Sequence, residues 1–255
     1  MERGNSSGRS IKSNETLFAI IEALKETNGA GVTELANRLG LAKSTVHKHL
    51  VSLERNRYVV NEDGYYRLGL EFFNTGVHVR NQYEVYHAVK DRIDRLAAET
   101  DEAAWLIVHE NGLGMFVYGV PQNESFSFDS TIGKWVYLHA NSAGKAILAN
   151  LPREEVDEIL DRHGLPSQTE NTITDRHELF GELEAARERG YAMNFQEDLR
   201  GLHAIATPII SDGRPIAAVT IAGAANRLTE DRIEDELYGA LLEAVDDIEL
   251  RLVYG

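Results

Sequence analysis

Short polar and basic side chains crowd the start of one predicted helix, in the segment KSTVHKHL that begins at residue 43. Lysines, hydroxyls and a histidine are groups that contact phosphates and base edges. The chemistry on offer is recognition of double-stranded DNA, with no covalent step. The residues expected to make these contacts are Lys43, Ser44, Thr45, His47 and Lys48.

Two short amphipathic helices joined by a tight turn must position those side chains. Their apolar positions are Leu35, Ala36 and Leu39, followed by Val46, Leu50 and Leu53. Thr33 is the expected N-cap of the first helix, and Gly40 is expected to reverse the chain after it. The spacing predicts a helix-turn-helix over about residues 31–55, whose second helix enters the major groove.

Flanking segments complete this unit. Apolar residues at 17–24 predict a third helix, and residues 58–68 predict two short strands around a turn that contains Gly64. Together they predict a winged helix-turn-helix over residues 11–70, with Arg55, Arg57 and Arg67 near DNA phosphates. The alternative is a three-helix packing unit that binds no DNA.

Charge is segregated along the chain. Of 26 Lys and Arg and 41 Asp and Glu, 10 and 8 respectively lie within residues 1–67, so the acidic excess lies in the remainder. A formal net charge of −15 repels DNA, and binding must be local to the first part and salt-dependent. The acidic remainder fits either a halophilic host or an ordinary acidic ligand-binding domain.

Composition removes several classes of protein. The chain has no cysteine, which excludes disulfides, thiol nucleophiles and cysteine zinc sites. No run reaches the length of a membrane span, and we expect a cytoplasmic protein. Residues 1–10 are polar and predict a flexible arm, whose Arg3 and Arg9 are able to touch DNA.

The remaining sequence predicts a linker helix over residues 71–85 and a second domain over residues 86–255. The predicted strands are 103–109, 114–120, 191–195, 203–210 and 215–222, with a further strand at 125–129. The predicted helices are 141–150, 154–163, 175–189 and a closing helix at 229–253. This pattern is typical of an α+β domain in which helices pack on an antiparallel sheet.

Enzyme signatures are weak. Gly144-Lys145 lacks the upstream glycine and the following hydroxyl of a phosphate loop, and it fits a tight turn followed by a solvated lysine. No histidine pair has metalloprotease spacing, although His109, His139 and His203 are able to meet in a folded site. Glu197 and Asp198 are adjacent, and on a strand they would point to opposite faces, which makes them poor acid/base partners.

Several segments resemble one family. They are residues 138–149, LHANSAGKAILA; residues 189–192 with Glu197; residues 201–209, GLHAIATPI; and residues 216–223, IAAVTIAG. Together they resemble the effector domain of the IclR family of transcriptional regulators. The helix-turn-helix resembles that family's as well, so the likeness runs from about Ile11 to the end.

The resemblance implies a winged helix-turn-helix joined to a GAF-like effector domain, assembled as a homodimer or homotetramer, with no metal or cofactor. It places an effector against Leu138, Asn141, Ser142, Ala143, Asn194, Ala204, Thr220 and Ala222. Where relatives have acids, Ser or Cys on the strands, this chain has Asn194, Ala204 and Ala222, so no relative's effector carries over. Independently, a helix starting near Asn141 offers backbone N–H groups that suit a carboxylate.

The resulting hypothesis is a regulator of a catabolic operon, repressor or activator, that binds a pseudo-palindromic operator. A small carboxylate or sugar-derived metabolite would alter the linker and hence the fit to the two half-sites. The alternatives are an architectural DNA-binding protein and an enzyme tethered to DNA.

Overall fold

The computed structural model describes residues 11–121 and 131–254, and the chain divides into two compact units between Gln82 and Tyr83. The predicted arm at 1–10 and the predicted strand at 125–129 lie outside the described residues. Each unit is described separately below.

Over its described residues, 11–82, the first unit contains four helices. They are α1 (Lys12–Glu26), α2 (Val32–Leu39), α3 (Lys43–Arg55) and α4 (Glu71–Asn81). Ile20, Leu35 and Leu50 meet in a shared core from which water is excluded. The prediction of Thr33 as N-cap was wrong, because Gly31, two residues earlier, occupies the N-cap position and α2 begins at Val32. Gly40 does end α2, in the left-handed conformation (φ 64°).

Three short strands form the wing. They are β1 (Ala30–Gly31), β2 (Val59–Glu62) and β3 (Tyr65–Leu68), in the antiparallel order β1-β3-β2. Asp63 and Gly64 form the two-residue turn, with φ 54° and 87°, as tight hairpins require. The winged helix-turn-helix is therefore confirmed, while β1 was not predicted, because two residues carry no periodicity.

Helix α4 packs on the wing unit through its first turn. The rings of Tyr58 and Phe72 meet edge to face at 4.8 Å, and Arg57 lies 3.9 Å from the Glu71 carboxylate. The predicted linker helix at 71–85 thus ends at Asn81, and the next helix starts at Glu84.

A six-stranded antiparallel sheet organises the second unit. Its strands are β4 (Ala103–Glu110), β5 (Leu113–Val120), β6 (Trp135–Tyr137), β7 (Ala192–Phe195), β8 (Leu202–Ser211) and β9 (Arg214–Ala224). Their order across the sheet is β6-β5-β4-β9-β8-β7. Strand β6 is new relative to the prediction. Strand β7 pairs with residues 203–206 of β8, and farther along that edge the Ile210 N–H donates to Glu249 Oε1 at 2.6 Å.

Helices cover both faces of this sheet. One face carries α5 (Glu84–Thr100) and the closing helix. There Val89 and Ile93 of α5 share a core with Val219 and Ile221 of β9. The other face carries α6 (Ser142–Ala149), α7 (Arg153–His163) and α8 (Arg176–Arg189), preceded by a 3₁₀ turn at Leu138–Ala140. The predicted α+β fold is confirmed.

The closing helix is continuous but irregular. It comprises α9 (Glu230–Arg232), a π-helical turn (Ile233–Leu237) and α10 (Tyr238–Tyr254). Thr229 accepts a hydrogen bond from the Arg232 backbone N–H, which confirms it as the N-cap. Glu102, fully buried, binds Arg227 and Arg232 at 2.6 and 2.7 Å and ties this helix to the α5–β4 turn.

Candidate functional site

The exposed side of α3 carries the side chains predicted to contact DNA. Val46, Leu50 and Leu53 face the core, and this orientation turns Lys43, Ser44, His47 and Lys48 to solvent, with Thr45 partly exposed. Among the described residues, no hydrogen bond or ion pair engages these five side chains. The helix has Ala42 at its N-cap, with no side-chain capping bond, and no acidic residue in its first turn.

The three arginines predicted to approach phosphates differ in their freedom. Arg55 is exposed at the end of α3. Arg57 is exposed and lies loosely near Glu71. Arg67 is paired with Glu62 across the hairpin at 2.5 Å. The hydrogen bond between them lowers the pKa of Glu62 and raises the pKa of Arg67. With Glu62 and Asp63 at the tip, the wing is the less favourable half of the surface for a phosphate.

The predicted effector residues that lie on strands belong to two adjacent rows of side chains on the α6 face of the sheet. The strand register aligns Asn194, Ala204, Ala222 and Ala103 across β7, β8, β9 and β4. The next row aligns Ala192, Ala206, Thr220 and Trp105. Alternation places both rows on one face, and all but Trp105 and Asn194 are small residues or a threonine.

Helix α6 begins directly over this surface. Ser142 Oγ and Thr220 Oγ1 lie 3.0 Å apart, and both side chains are buried. The two hydroxyls thus connect the first residue of α6 to the centre of β9. Ala143, also buried, follows in the core formed with the sheet.

Asn141 and Leu138 have structural roles. The Asn141 carboxamide caps α6 by accepting from the Gly144 backbone N–H at 2.8 Å and donates to the Tyr137 carbonyl at 2.7 Å. The Gly144 N–H, one of the backbone groups predicted to be free for a carboxylate, is therefore already hydrogen-bonded. Leu138 is buried in the core, and its carbonyl would lie 2.1 Å from a Cβ added at Gly144.

A buried ion pair lies one turn into α6. Lys145 is 1% exposed, and its Nζ donates to Glu197 Oε1 at 2.6 Å, while Glu197 is 6% exposed. The second Glu197 oxygen has no hydrogen-bond partner among the described residues. Burial raises the pKa of Glu197, and Lys145 opposes the rise. The alternative of a solvated lysine after a tight turn was wrong, because residues 142–149 form a wholly buried helix.

The loop after β7 adds a polar group that the sequence did not predict. Glu197 and Asp198 follow β7 and do not lie on a strand, which corrects the argument that they point to opposite faces. Asn194 donates from Nδ2 to Asp198 Oδ1 at 2.6 Å and accepts at Oδ1 from the Glu197 N–H at 2.8 Å. The signal for this turn in the sequence was the presence of polar residues, such as Glu197 and Asp198, directly after the end of β7.

The three histidines considered as a metal site remain separate. His139 bonds the Pro166 carbonyl at 3.2 Å, and His203 bonds the Leu228 carbonyl at 2.7 Å. Within residues 11–121 and 131–254, no group of three His, Asp or Glu residues is arranged to hold a metal ion. In those same ranges no helix has the length and apolar character needed to span a bilayer.

Known protein families match both units. The model for the IclR helix-turn-helix domain matches residues 16–63, and that for the bacterial transcriptional regulator IclR C-terminal domain matches residues 77–250. The transcriptional repressor IclR of Escherichia coli K12 is 31% identical over 243 residues, covering 92% of this chain and 87% of that protein.

Solved structures share the fold. The crystal structure of Thermotoga maritima IclR has a TM-score of 0.78 and 31% identity, and the match covers 94% of this chain and 97% of that one. A double mutant of the inducer-binding domain of the transcription factor PobR from Acinetobacter, in complex with 3-hydroxybenzoic acid, has a TM-score of 0.59 and 27% identity, covering 63% and 95%.

A winged helix-turn-helix followed by a separate helix-covered sheet defines a DNA-binding transcriptional regulator with an effector-binding domain. The chain belongs to the IclR family of transcriptional regulators. The matched proteins are regulators and not enzymes, which removes the alternative of an enzyme tethered to DNA.

Proposed function

We propose that this chain is a sequence-specific regulator of a catabolic operon and that a small organic carboxylate, aromatic or sugar-derived, controls its binding to DNA. The observation that carries the proposal is the exposed start of α3, where Lys43, Ser44, His47 and Lys48 have no partner among the described residues.

Two features of the sequence at the start of α3 lower the stability of this helix. A cation in the first turn opposes the helix dipole, and an Ala N-cap forgoes about 1 kcal/mol of capping energy. Phosphate contacts from Lys43 and the free backbone N–H groups offset both costs when DNA binds. Ser44, Thr45 and His47 then face base edges, and Lys48 and Arg55 face phosphates. Arg57 and Arg67 lie farther along the DNA backbone.

Sequence specificity calls for two copies of α3. A homodimer, alone or paired as a homotetramer, places them in successive major grooves of a pseudo-palindromic operator. The effector acts by favouring one of two arrangements of the DNA-binding units, and repression and activation are served by the same residues.

The effector is placed on the α6 face of the second unit, over Thr220, Ala204 and Ala222. The α6 N-terminus and the hydroxyls of Ser142 and Thr220 favour an anion there, and the alanines offer an apolar surface to the body of the ligand. The inducer-binding domain of PobR, which shares this fold, is seen with 3-hydroxybenzoic acid. That complex supports an acidic effector.

The test starts from the full-length protein and a random double-stranded DNA library. Selected sequences are compared with shuffled ones by fluorescence anisotropy over a range of salt, with and without benzoate, pyruvate and gluconate. We expect a palindromic motif bound at least about a thousandfold more tightly than shuffled DNA, and a shift in affinity with one class of acid.

Other outcomes discriminate between the alternatives. Equal binding to selected and shuffled DNA would identify an architectural DNA-binding protein. Specific binding that no acid alters would retain the regulator and reject the carboxylate effector. Genome-wide occupancy of the tagged protein in its host, with sharp sites upstream of catabolic genes, tests the operon assignment.

A further inference from the structure

We propose that Asp198 is a specificity-determining residue of the effector site, selecting acids that carry a hydrogen-bond donor at the end away from their carboxylate. The inference rests on the proposed carboxylate effector and adds the chemistry of its other end. Asp198 belongs to none of the segments from which the effector residues were predicted.

The first step is the fixed orientation of Asn194. Its Oδ1 accepts from the Glu197 backbone N–H at 2.8 Å, and its Nδ2 donates to Asp198 Oδ1 at 2.6 Å. Each bond requires the same orientation of the amide, which is 1% exposed. Since Asn194 ends the row formed with Ala204 and Ala222, the Asp198 carboxylate is held at the β7 end of the proposed effector surface.

The second step is the charge at that end. Asp198 is mostly withdrawn from water, and burial raises its pKa, while the Asn194 amide, the backbone N–H groups of Asp198 and Leu199 and the Lys134 cation oppose the rise. The N–H groups that donate to this carboxylate favour its ionised form, which accepts hydrogen bonds and donates none. It therefore attracts a hydroxyl or ammonium group of a ligand and repels the ligand's own carboxylate.

The third step is the distance between the two polar ends. Asn194 on β7 lies two strands away from β9 and two residues along from the position level with Thr220, which together correspond to roughly 12 Å. The surface between them is lined by Ala204, Ala206 and Ala222. An acid with a terminal hydroxyl on an aromatic ring or on a chain of similar length spans this gap, with a hydrogen bond of about 3 Å at each end.

Matched acids test this assignment on the full-length protein. Calorimetric titration compares benzoate with 4-hydroxybenzoate, and hexanoate with 6-hydroxyhexanoate, in the wild type and in the Asp198→Asn variant. We expect the hydroxylated member of at least one pair to bind the wild type about tenfold or more tightly. In Asp198→Asn that preference should fall to about twofold or less, while binding of the unsubstituted acid is retained.

Asp161→Asn is the control, because Asp161 is an exposed carboxylate of α7 that pairs with Arg176. It should keep the wild-type preference. Equal binding of both members of each pair to the wild type, or a preference that survives in Asp198→Asn, would overturn the role of Asp198 and leave the carboxylate effector standing. Failure of all four acids to bind a protein that still binds DNA would overturn this inference, and the carboxylate effector would then be decided by the titrations with pyruvate and gluconate.

Discussion

Lys145 and Glu197 form an ion pair in the interior of the effector-binding unit, with 2.6 Å between Nζ and Oε1. Glu182 lies 3.7 Å from the same ammonium, and Arg189 binds Glu182 at 3.0 Å, so a short chain of charges leads outward from the core. The pair joins α6, which begins at Ser142, to the loop that follows β7. Two elements that carry proposed effector residues are thus held together.

Removing one member of this pair should be costly. Lys145→Met leaves the Glu197 carboxylate buried without its cation, and we expect a loss of about 3 kcal/mol in the free energy of unfolding. Chemical denaturation of the full-length protein measures it. Lys90→Met, which removes an exposed lysine of α5, serves as the control and should change stability by less than about 0.5 kcal/mol.

Replacing both members should restore stability. The Lys145→Met/Glu197→Leu double variant removes both buried charges, so its free energy of unfolding should return to within about 1 kcal/mol of the wild type. A Lys145→Met variant as stable as Lys90→Met would show that the pair contributes nothing.

Two helical glycines should respond in opposite ways to alanine. A Cβ at Gly144 in α6 would lie 2.1 Å from the backbone carbonyl oxygen of Leu138, which cannot move aside as a side chain does. Gly144→Ala should therefore lower the melting temperature by several degrees, in line with overpacking costs of about 1–3 kcal/mol. Gly181→Ala in α8 meets no atom within 4 Å and should raise stability by up to about 1 kcal/mol. Equal effects would refute the close contact.

His139 should make stability depend on pH. Burial lowers its pKa from the ordinary value of 6.5, and the nearby Lys145 adds to the effect. Below pH 6.5 the unfolded chain takes up a proton that the folded chain refuses, so stability is lost as the pH falls and is recovered as it rises. The slope from this one group is at most about 1.4 kcal/mol per pH unit.

The measurement is the free energy of unfolding between pH 7.5 and 5.5. His139→Asn should flatten the curve, and His177→Asn, which alters an exposed residue of α8, should leave it unchanged. Parallel curves for wild type and His139→Asn would contradict the prediction.

The side chains of α3 should separate into phosphate and base contacts. Lys48→Ala should weaken binding to selected and shuffled DNA alike and reduce the salt slope by about 1 for each bound protomer. Thr45→Ala and His47→Ala should alter the preferred sequence, as a repeated library selection would show. Lys25→Ala on α1 is the matched control. Equal losses on both DNAs from all three α3 variants would reject these roles.

Much of this architecture could be predicted from periodicity. Apolar residues spaced three and four apart located α1, α2 and α3, and two apolar runs rich in β-forming residues around a turn predicted the β4–β5 hairpin. Strands β1 and β6 have two and three residues, too few to show alternation, and their pairing depends on partners distant in sequence. Thr33 was predicted as the cap from its residue type, but the N-cap lies two residues earlier, at Gly31.

The effector surface was harder to predict because its geometry depends on register. The resemblance located Asn194, Ala204 and Thr220, but their alignment in two rows follows from the pairing of β7, β8 and β9. Lys145 was open to two interpretations, since a lysine is usually solvated. The other residues of α6 are all apolar or small. A charge within such a buried helix requires a partner, and sequence spacing does not reveal which residue that is.

The outer edge of β8 is poorly suited to pairing with a strand of another molecule. Past the residues paired with β7, Pro208 has no N–H to offer, and Glu249 already accepts the N–H of Ile210. A strand from another molecule would find this edge without available donors at those two positions, so extension of the sheet by intermolecular pairing is disfavoured there. This edge of β8 is thereby protected against open-ended aggregation by strand addition.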